Sequence, residues 1–223
     1  MASIHGVTTL MFPKAVVNAF LVDADVLTLI DTGTPGGAGK IVAALRAAGR
    51  APGDLGRIVV THRHADHAGN AAELARLTGA EVHMSPVDAP FLRDGHEQPK
   101  PRAATPLGRV MVPYVSVALP WRLEPAPALS TLVDGAAVGP FEVVATPGHT
   151  AGHVSLLWAA RGILFTGDAA AHLTALGPHP VADDPELARE SFRRLSSLDF
   201  DVACFGHGRP IGAHASAAFR AAA

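Results

Sequence analysis

Between Thr61 and Gly69 the chain reads THRHADHAG, which puts three histidines and an aspartate into the six residues His62 to His67. The apolar run RIVV (57–60) precedes it, so a short strand ends directly in a loop rich in imidazole and carboxylate. Three other segments repeat that grammar: VVATPGHT (143–150), ILFTGD (163–168) and VACFGHG (202–208). Strand ends in layered α/β folds converge on one edge of a sheet. Seven ligand-type side chains are therefore expected to meet: His62, His64, Asp66, His67, His149, Asp168 and His207. Neutral imidazole and carboxylate suit zinc and similar transition metals. His62 and His64 lie two apart, so an extended segment points both the same way. With His149 they make three ligands and leave one position open. Asp66 and His67 face a second position, joined by His207, and Asp168 can bridge. Two divalent ions per chain are expected, zinc first, with iron or manganese as alternatives.

The elements that must position these groups follow from periodicity and punctuation. AVVNAFLV (15–22) and VLTLI (26–30) read as a hairpin, and LIDTG closes it at Asp31. Helical spacing appears in 36–49, closed by Gly49, and in 69–78, closed by Gly79. EVHM (81–84), FEVVAT (141–146), VSLLWAA (154–160), GILFTG (162–167) and DVACF (201–205) read as strands. Residues 185–198 read as a helix with proline at its start, and 211–222 as a terminal helix. This alternation predicts a layered α/β frame.

Residues 85–134 break the pattern. Nine of the 18 prolines fall there, together with Phe91, Trp121 and the only tyrosine, Tyr114. Proline disfavours regular helix and sheet interiors, so an irregular lid or insertion is expected, with those three aromatics as substrate-facing candidates.

Composition narrows the function class. Hydrophobic residues make up 48% and charged residues 17% of 223, enough for a sizeable core. A formal net charge of -2 gives no electrostatic case for nucleic acid. The single cysteine, Cys204, excludes an intrachain disulfide and reads as a buried strand residue. The N-terminus lacks the charged start and long apolar stretch of a secretory leader, and no run is long enough to span a membrane. A cytoplasmic enzyme with a small-molecule substrate, no nucleic acid and no membrane partner is the expectation. His5, His83, His96, His179 and His214 have no motif context and read as ordinary surface or core histidines.

Taken in order, NAFLV and LIDTG (18–33), THRHADHAG (61–69), TPGHTAGH (146–153), TGD (166–168) and GHG (206–208) resemble the metallo-β-lactamase superfamily across nearly the whole chain. The resemblance implies a four-layer αββα sandwich over 1–223 as a single domain, with a dinuclear site at one edge. It implies one metal on His62, His64 and His149, the other on Asp66, His67 and His207, and Asp168 as the bridge. It places Asp31 beside the metal loop as an outer support, with a turn-capping residue as the alternative, and His153 just outside the ligand set.

Within the superfamily the ligand letters match glyoxalase II and the acyl-homoserine lactonases. Glyoxalase II has a further helical C-terminal domain, and this chain stops about 16 residues after His207. The lactonases carry a tyrosine a few residues after the bridging aspartate, where this chain has Ala171 and His172. True β-lactamases lack the bridging aspartate. The expected chemistry is hydrolysis of an ester, lactone or thioester by a metal-bridging hydroxide, since metal binding brings the pKa of water toward about 7. Asp66 would orient the nucleophile, and His172 would contact the substrate or protonate its leaving group. The alternatives are a mononuclear iron oxygenase resembling persulfide dioxygenases, a phosphodiesterase or nuclease, and a non-catalytic metal-binding domain.

Overall fold

The structure, a computed structural model, describes residues 3–4, 6–13 and 16–223. His5 and Ala15, both named above, lie outside them. The chain forms two units, Met1–Gln98 with Leu119–Thr131, and Pro99–Ala118 with Leu132–Ala223.

The first unit is a seven-stranded sheet in sequential order. Strands β1 (Ser3–Ile4), β2 (Val7–Phe12), β3 (Val17–Asp23) and β4 (Leu27–Ile30) are antiparallel neighbours. Strands β5 (Arg57–Val59), β6 (Glu81–Met84) and β7 (Leu129–Ser130) continue it in parallel. The strand β2 has no counterpart among the sequence expectations, which tested that stretch only as a leader. Parallel neighbours need crossovers. Helices α1 (Ala38–Ala47) and α3 (Ala71–Thr78) supply them, with the short α2 (Ala65–Ala68) and α4 (Ala89–Arg93) beside the strand ends. Ile41 and Leu45 of α1 and Leu74 of α3 pack with Leu29, Ile58 and Val82 of the sheet in one apolar core. Gly79 ends α3 in the left-handed conformation that the sequence spacing predicts.

The second unit holds a five-stranded sheet in the order β14-β11-β10-β9-β8. Its strands are β8 (Ala137–Val138), β9 (Phe141–Ala145), β10 (Val154–Trp158), β11 (Ile163–Phe165) and β14 (Val202–Cys204). Only β11 and β14 pair in parallel. A small ribbon, β12 (Ala171–His172) with β13 (Leu176–Gly177), follows β11. Helix α6 (Pro185–Ser196) starts where Asp184 accepts hydrogen bonds from the backbone N–H groups of Glu186 and Leu187. Its Phe192 and Leu195 pack with Phe200, Phe205 and Phe219, the last from helix α7 (Ala215–Ala222). The terminal helix begins later than expected because Ile211 exchanges backbone hydrogen bonds with Ala203.

The proline-rich segment differs from its sequence reading. Pro106–Ala118 forms the 13-residue helix α5. Pro106 sits at the helix start, where an N–H would lack an intrahelical acceptor, so only Pro113 removes an internal bond. Its Val110 and Val117 are 74% and 87% exposed. The segment is shared out, with residues 85–98 and 119–131 in the first unit and 99–118 and 132–134 in the second.

Candidate metal centre

In the first unit, the end of β5 runs through Thr61 to His64, and α2 then carries Asp66 and His67. The ring of His62 lies 4.8 Å from that of His64 and 4.2 Å from that of His67, centroid to centroid. Asp66 Oδ2 is 4.0 Å from His67 Nε2. His62 and His67 are fully buried, Asp66 is nearly so, and His64 is half-buried.

These rings are held by groups outside the histidine run. Asp31, at the end of β4, has φ 58, a left-handed conformation uncommon for a residue with a side chain. It accepts from Thr61 N–H at 2.8 Å and Thr61 Oγ1 at 2.9 Å. Its Oδ2 lies 2.8 Å from His67 Nδ1. A carboxylate only accepts, so His67 Nδ1 carries the proton and Nε2 keeps its lone pair. Because the Thr61 hydroxyl proton is committed to Asp31, Thr61 Oγ1 accepts from His62 Nδ1 at 3.0 Å, which leaves His62 Nε2 as a second lone pair. Asp31 thus bonds within the histidine-rich loop, at Thr61 and His67.

Three further supports escaped the sequence reading. Asn70 Nδ2 donates to the carbonyls of Thr32 and Thr34 at 2.6 and 2.8 Å, tying the end of the loop to the residues after Asp31. Arg63, which lies between two candidate ligands, is buried against Asp88, with Nη1 to Oδ1 at 2.9 Å and its own N–H to Oδ2 at 3.0 Å. Gln98 donates to the Arg63 carbonyl at 2.8 Å. Single polar residues at these spacings carry no motif, so only tertiary contact exposes them.

In the second unit, the buried Asp168 follows β11 and receives several imidazoles. Its Oδ2 lies 3.3 Å from His149 Nε2 and 3.4 Å from His207 Nε2. His149 Nδ1 donates to the Val181 carbonyl at 2.7 Å, which turns its Nε2 toward Asp168. His153 holds the aspartate's backbone: its Nε2 accepts the Asp168 N–H at 2.8 Å. Its Nδ1–H donates to Thr146 Oγ1 at 2.8 Å, and the chain continues through Ser155 Oγ to the Thr166 carbonyl. Gly148 and Gly208, beside two of these histidines, have φ 125 and 104, and a Cβ on either would lie 2.1–2.2 Å from neighbouring backbone. The sequence put His179 among the ordinary histidines. The structure buries it with Nε2 3.6 Å from the same Asp168 oxygen.

The other sequence candidates are placed as follows. His172 lies in β12, its Nδ1 3.0 Å from the Arg209 carbonyl and its ring against Phe205. Its neighbours Ala171 and Leu173 line a cavity of about 310 Å³, together with Thr105, Leu107, Leu176 and Pro180; no lining residue is ionisable. Phe91 of α4 lies under the Arg63 guanidinium, 4.7 Å from ring centroid to carbon, and beside His96. The carbonyl of Trp121 accepts from Gln98 N–H at 2.8 Å. Tyr114 is on α5 and 61% exposed. Burial pushes the Cys204 thiol up to about 12, which removes it as a nucleophile. His83 is buried beside Thr131, and its pKa is held below the usual histidine value by that burial first. His214 is an exposed residue at the start of α7.

The donor chemistry fits divalent cations. His149 Nε2 faces a carboxylate oxygen at 3.3 Å, and a neutral imidazole turned this way would repel that oxygen unless a cation lay between them. Two ligand atoms about 2.0–2.1 Å from one tetrahedral zinc lie about 3.3–3.4 Å apart, the separation seen for both His149 and His207 from Asp168. No helix among the described residues is long and apolar enough to cross a membrane.

Residues 13–207 match the family model of the metallo-β-lactamase superfamily. The probable metallo-hydrolase YflN of Bacillus subtilis (strain 168) is 27% identical over 207 residues, covering 82% of this chain and 75% of YflN. A hydroxyacylglutathione hydrolase of Cereibacter sphaeroides (strain ATCC 17025 / ATH 2.4.3) is 29% identical over 157 residues, covering 69% of this chain. This chain spans 48% of that enzyme, about half its length. Among solved structures, TTHA1623 in a di-iron-bound form aligns with a TM-score of 0.68 at 25% identity, covering 91% of this chain and 93% of TTHA1623.

Proposed function

We propose, from the premise that this chain belongs to the metallo-β-lactamase superfamily and to its metal-dependent hydrolases, that it is a dinuclear enzyme cleaving an ester, lactone or thioester of a small molecule. His62, His64 and His149 would hold one ion, Asp66, His67 and His207 the other, and Asp168 both. The observation that carries the reading is the meeting of His149 Nε2 and His207 Nε2 on one oxygen of Asp168. The oriented lone pairs of His62 and His67 support it from the other unit.

When bound, such a pair supplies Lewis acidity and a water acidified toward neutral pH. The chain's own residues do the positioning. Asp31 and Thr61 fix the tautomers of His67 and His62, and His153 fixes the backbone of Asp168. Asp66 is the candidate for orienting the nucleophile. The uncharged cavity beside β12 supports an apolar acyl or alcohol group on the substrate. His172, flanked by two residues of that cavity's wall, is the candidate for substrate contact or leaving-group protonation. Unchanged kinetics in a His172→Ala variant on a confirmed substrate would remove it from that role.

Zinc is the first choice of metal on donor chemistry. The di-iron form of TTHA1623 supports iron as the second. The glutathione conjugate in the name of the Cereibacter sphaeroides enzyme supports testing thioesters beside esters and lactones. The test is turnover of an ester, lactone, thioester and phosphodiester panel by protein loaded with zinc, iron or manganese. Hydrolysis of an ester-like member that stops on chelation is expected. Metal-loaded protein that turns over no member would defeat the reading.

A further inference from the structure

The loop after β13 reads GPHPVADD, with a histidine between two prolines and no motif around it (177–184). That loop is built rather than incidental. Ala104 N–H donates to the Pro180 carbonyl at 2.8 Å, and Ala182 N–H to the Arg102 carbonyl at 3.0 Å. Asp183 and Asp184 N–H donate to the carbonyls of His149 and Gly148 at 3.1 and 2.9 Å. At Gly108 of α5, a Cβ would lie 2.0 Å from the Pro180 carbonyl oxygen, so the helix can approach this closely only because no side chain is there.

The consequence is a fixed imidazole. His179 is 5% exposed, with Nδ1 against the Val181 peptide, 3.0 Å from its carbonyl oxygen and 3.2 Å from its N–H nitrogen. The same carbonyl accepts from His149 Nδ1. One peptide group thus holds two rings, which cross edge-on with centroids 4.8 Å apart, and both Nε2 atoms come to Asp168 Oδ2. The ligand atoms of His149, Asp168 and His179 all lie within 4.8 Å of one another. A separation of 3.6 Å from Nε2 to a carboxylate oxygen is too long for a hydrogen bond. It is within reach of two atoms that share a cation as ligands.

We propose that His179 is a further metal ligand of this chain, binding through Nε2 to an ion that His149 and Asp168 also hold. The assignment rests on the metal-dependent reading of the chain and adds a donor to the seven residues of the sequence expectation. It also gives residues 99–118 a use, since 102–108 brace the loop that aims the ring.

His179→Ala and His179→Asn, made in the full chain, test this. Asparagine keeps a polar group where Nδ1 meets Val181 and removes only Nε2. Zinc affinity is read by competition with a chromophoric chelator, coordination by the visible spectrum of the Co(II)-loaded protein, and folding by circular dichroism. If alanine prevents folding, asparagine carries the test alone. The expected result is at least a tenfold weaker zinc affinity and an altered Co(II) spectrum in every folded variant. Wild-type affinity and spectrum in His179→Asn would overturn the assignment and leave His179 as a brace acting through Val181. A wild-type chain that binds no metal would instead defeat the metal-dependent reading itself, and this assignment with it.

Discussion

The two clusters of candidate ligands are built by different means. In the first unit, His62, His64, Asp66 and His67 come from one continuous loop, and side chains from elsewhere aim them: Asp31 and Thr61 set the rings, and Asp88 pins Arg63 between them. In the second unit, His149, Asp168, His179 and His207 come from four separate loops; the Val181 peptide holds two of the rings, and the His153 side chain holds the Asp168 N–H. A compact motif leaves its supports to distant side chains, so it is exposed to substitution at sites that bear no ligand. A dispersed cluster with rings held by one peptide group is exposed mainly at the ligands and at His153.

The comparison breaks most directly at Asp168, where the second cluster meets. Asp168→Asn is expected to lower turnover of a confirmed substrate by on the order of a thousandfold, from several kcal/mol of lost charge stabilisation. Steady-state kinetics with metal analysis would show it, and a loss under tenfold would contradict a shared role. Next comes a residue that touches no candidate ligand atom. Asp88→Ala takes the carboxylate from a buried guanidinium and is expected to cost about 3–5 kcal/mol, read as a lower midpoint in urea. The contrast sharpens at Asp31. Asp31→Ala should weaken metal binding by about 10–100-fold by releasing His67, measured by chelator competition, with secondary structure retained.

The smallest effect lies on the surface of the second unit. Arg194 hydrogen-bonds Asp134 and holds its carboxyl below the usual aspartate range. A lowered folded-state pKa stabilises above the unfolded value and is lost as pH falls through the folded one. Asp134→Ala should therefore cost at most about 0.2–1 kcal/mol above roughly pH 4, after solvent screening, and nothing once acid has protonated the wild-type carboxyl. A variant that melts with the wild type at neutral pH but differs from it in acid would reverse that sign.

The same contrast explains what was legible in the sequence. The strands β6 and β9 and the helix α3 follow from local periodicity and a glycine stop, which single residues report well. The HRHADH loop announced itself because its chemistry is contiguous. His149, Asp168 and His207 could be gathered because each follows an apolar strand. His179 could not, since it follows a two-residue strand and sits between prolines, where no periodicity marks it. Asn70, Asp88 and Gln98 were equally silent because a support is defined by what it touches. The proline count misled over α5 because a proline at a helix start costs no hydrogen bond.

The central claim is that the two clusters serve one dinuclear hydrolytic centre, and metal stoichiometry tests it most directly. Chain stripped of metal, reloaded with zinc or iron and freed of excess by gel filtration is measured by elemental analysis against protein concentration. The account predicts two ions per chain, with the second lost in Asp168→Asn. One ion per chain at saturation, or one iron with sulfide-dependent oxygen uptake, would contradict it.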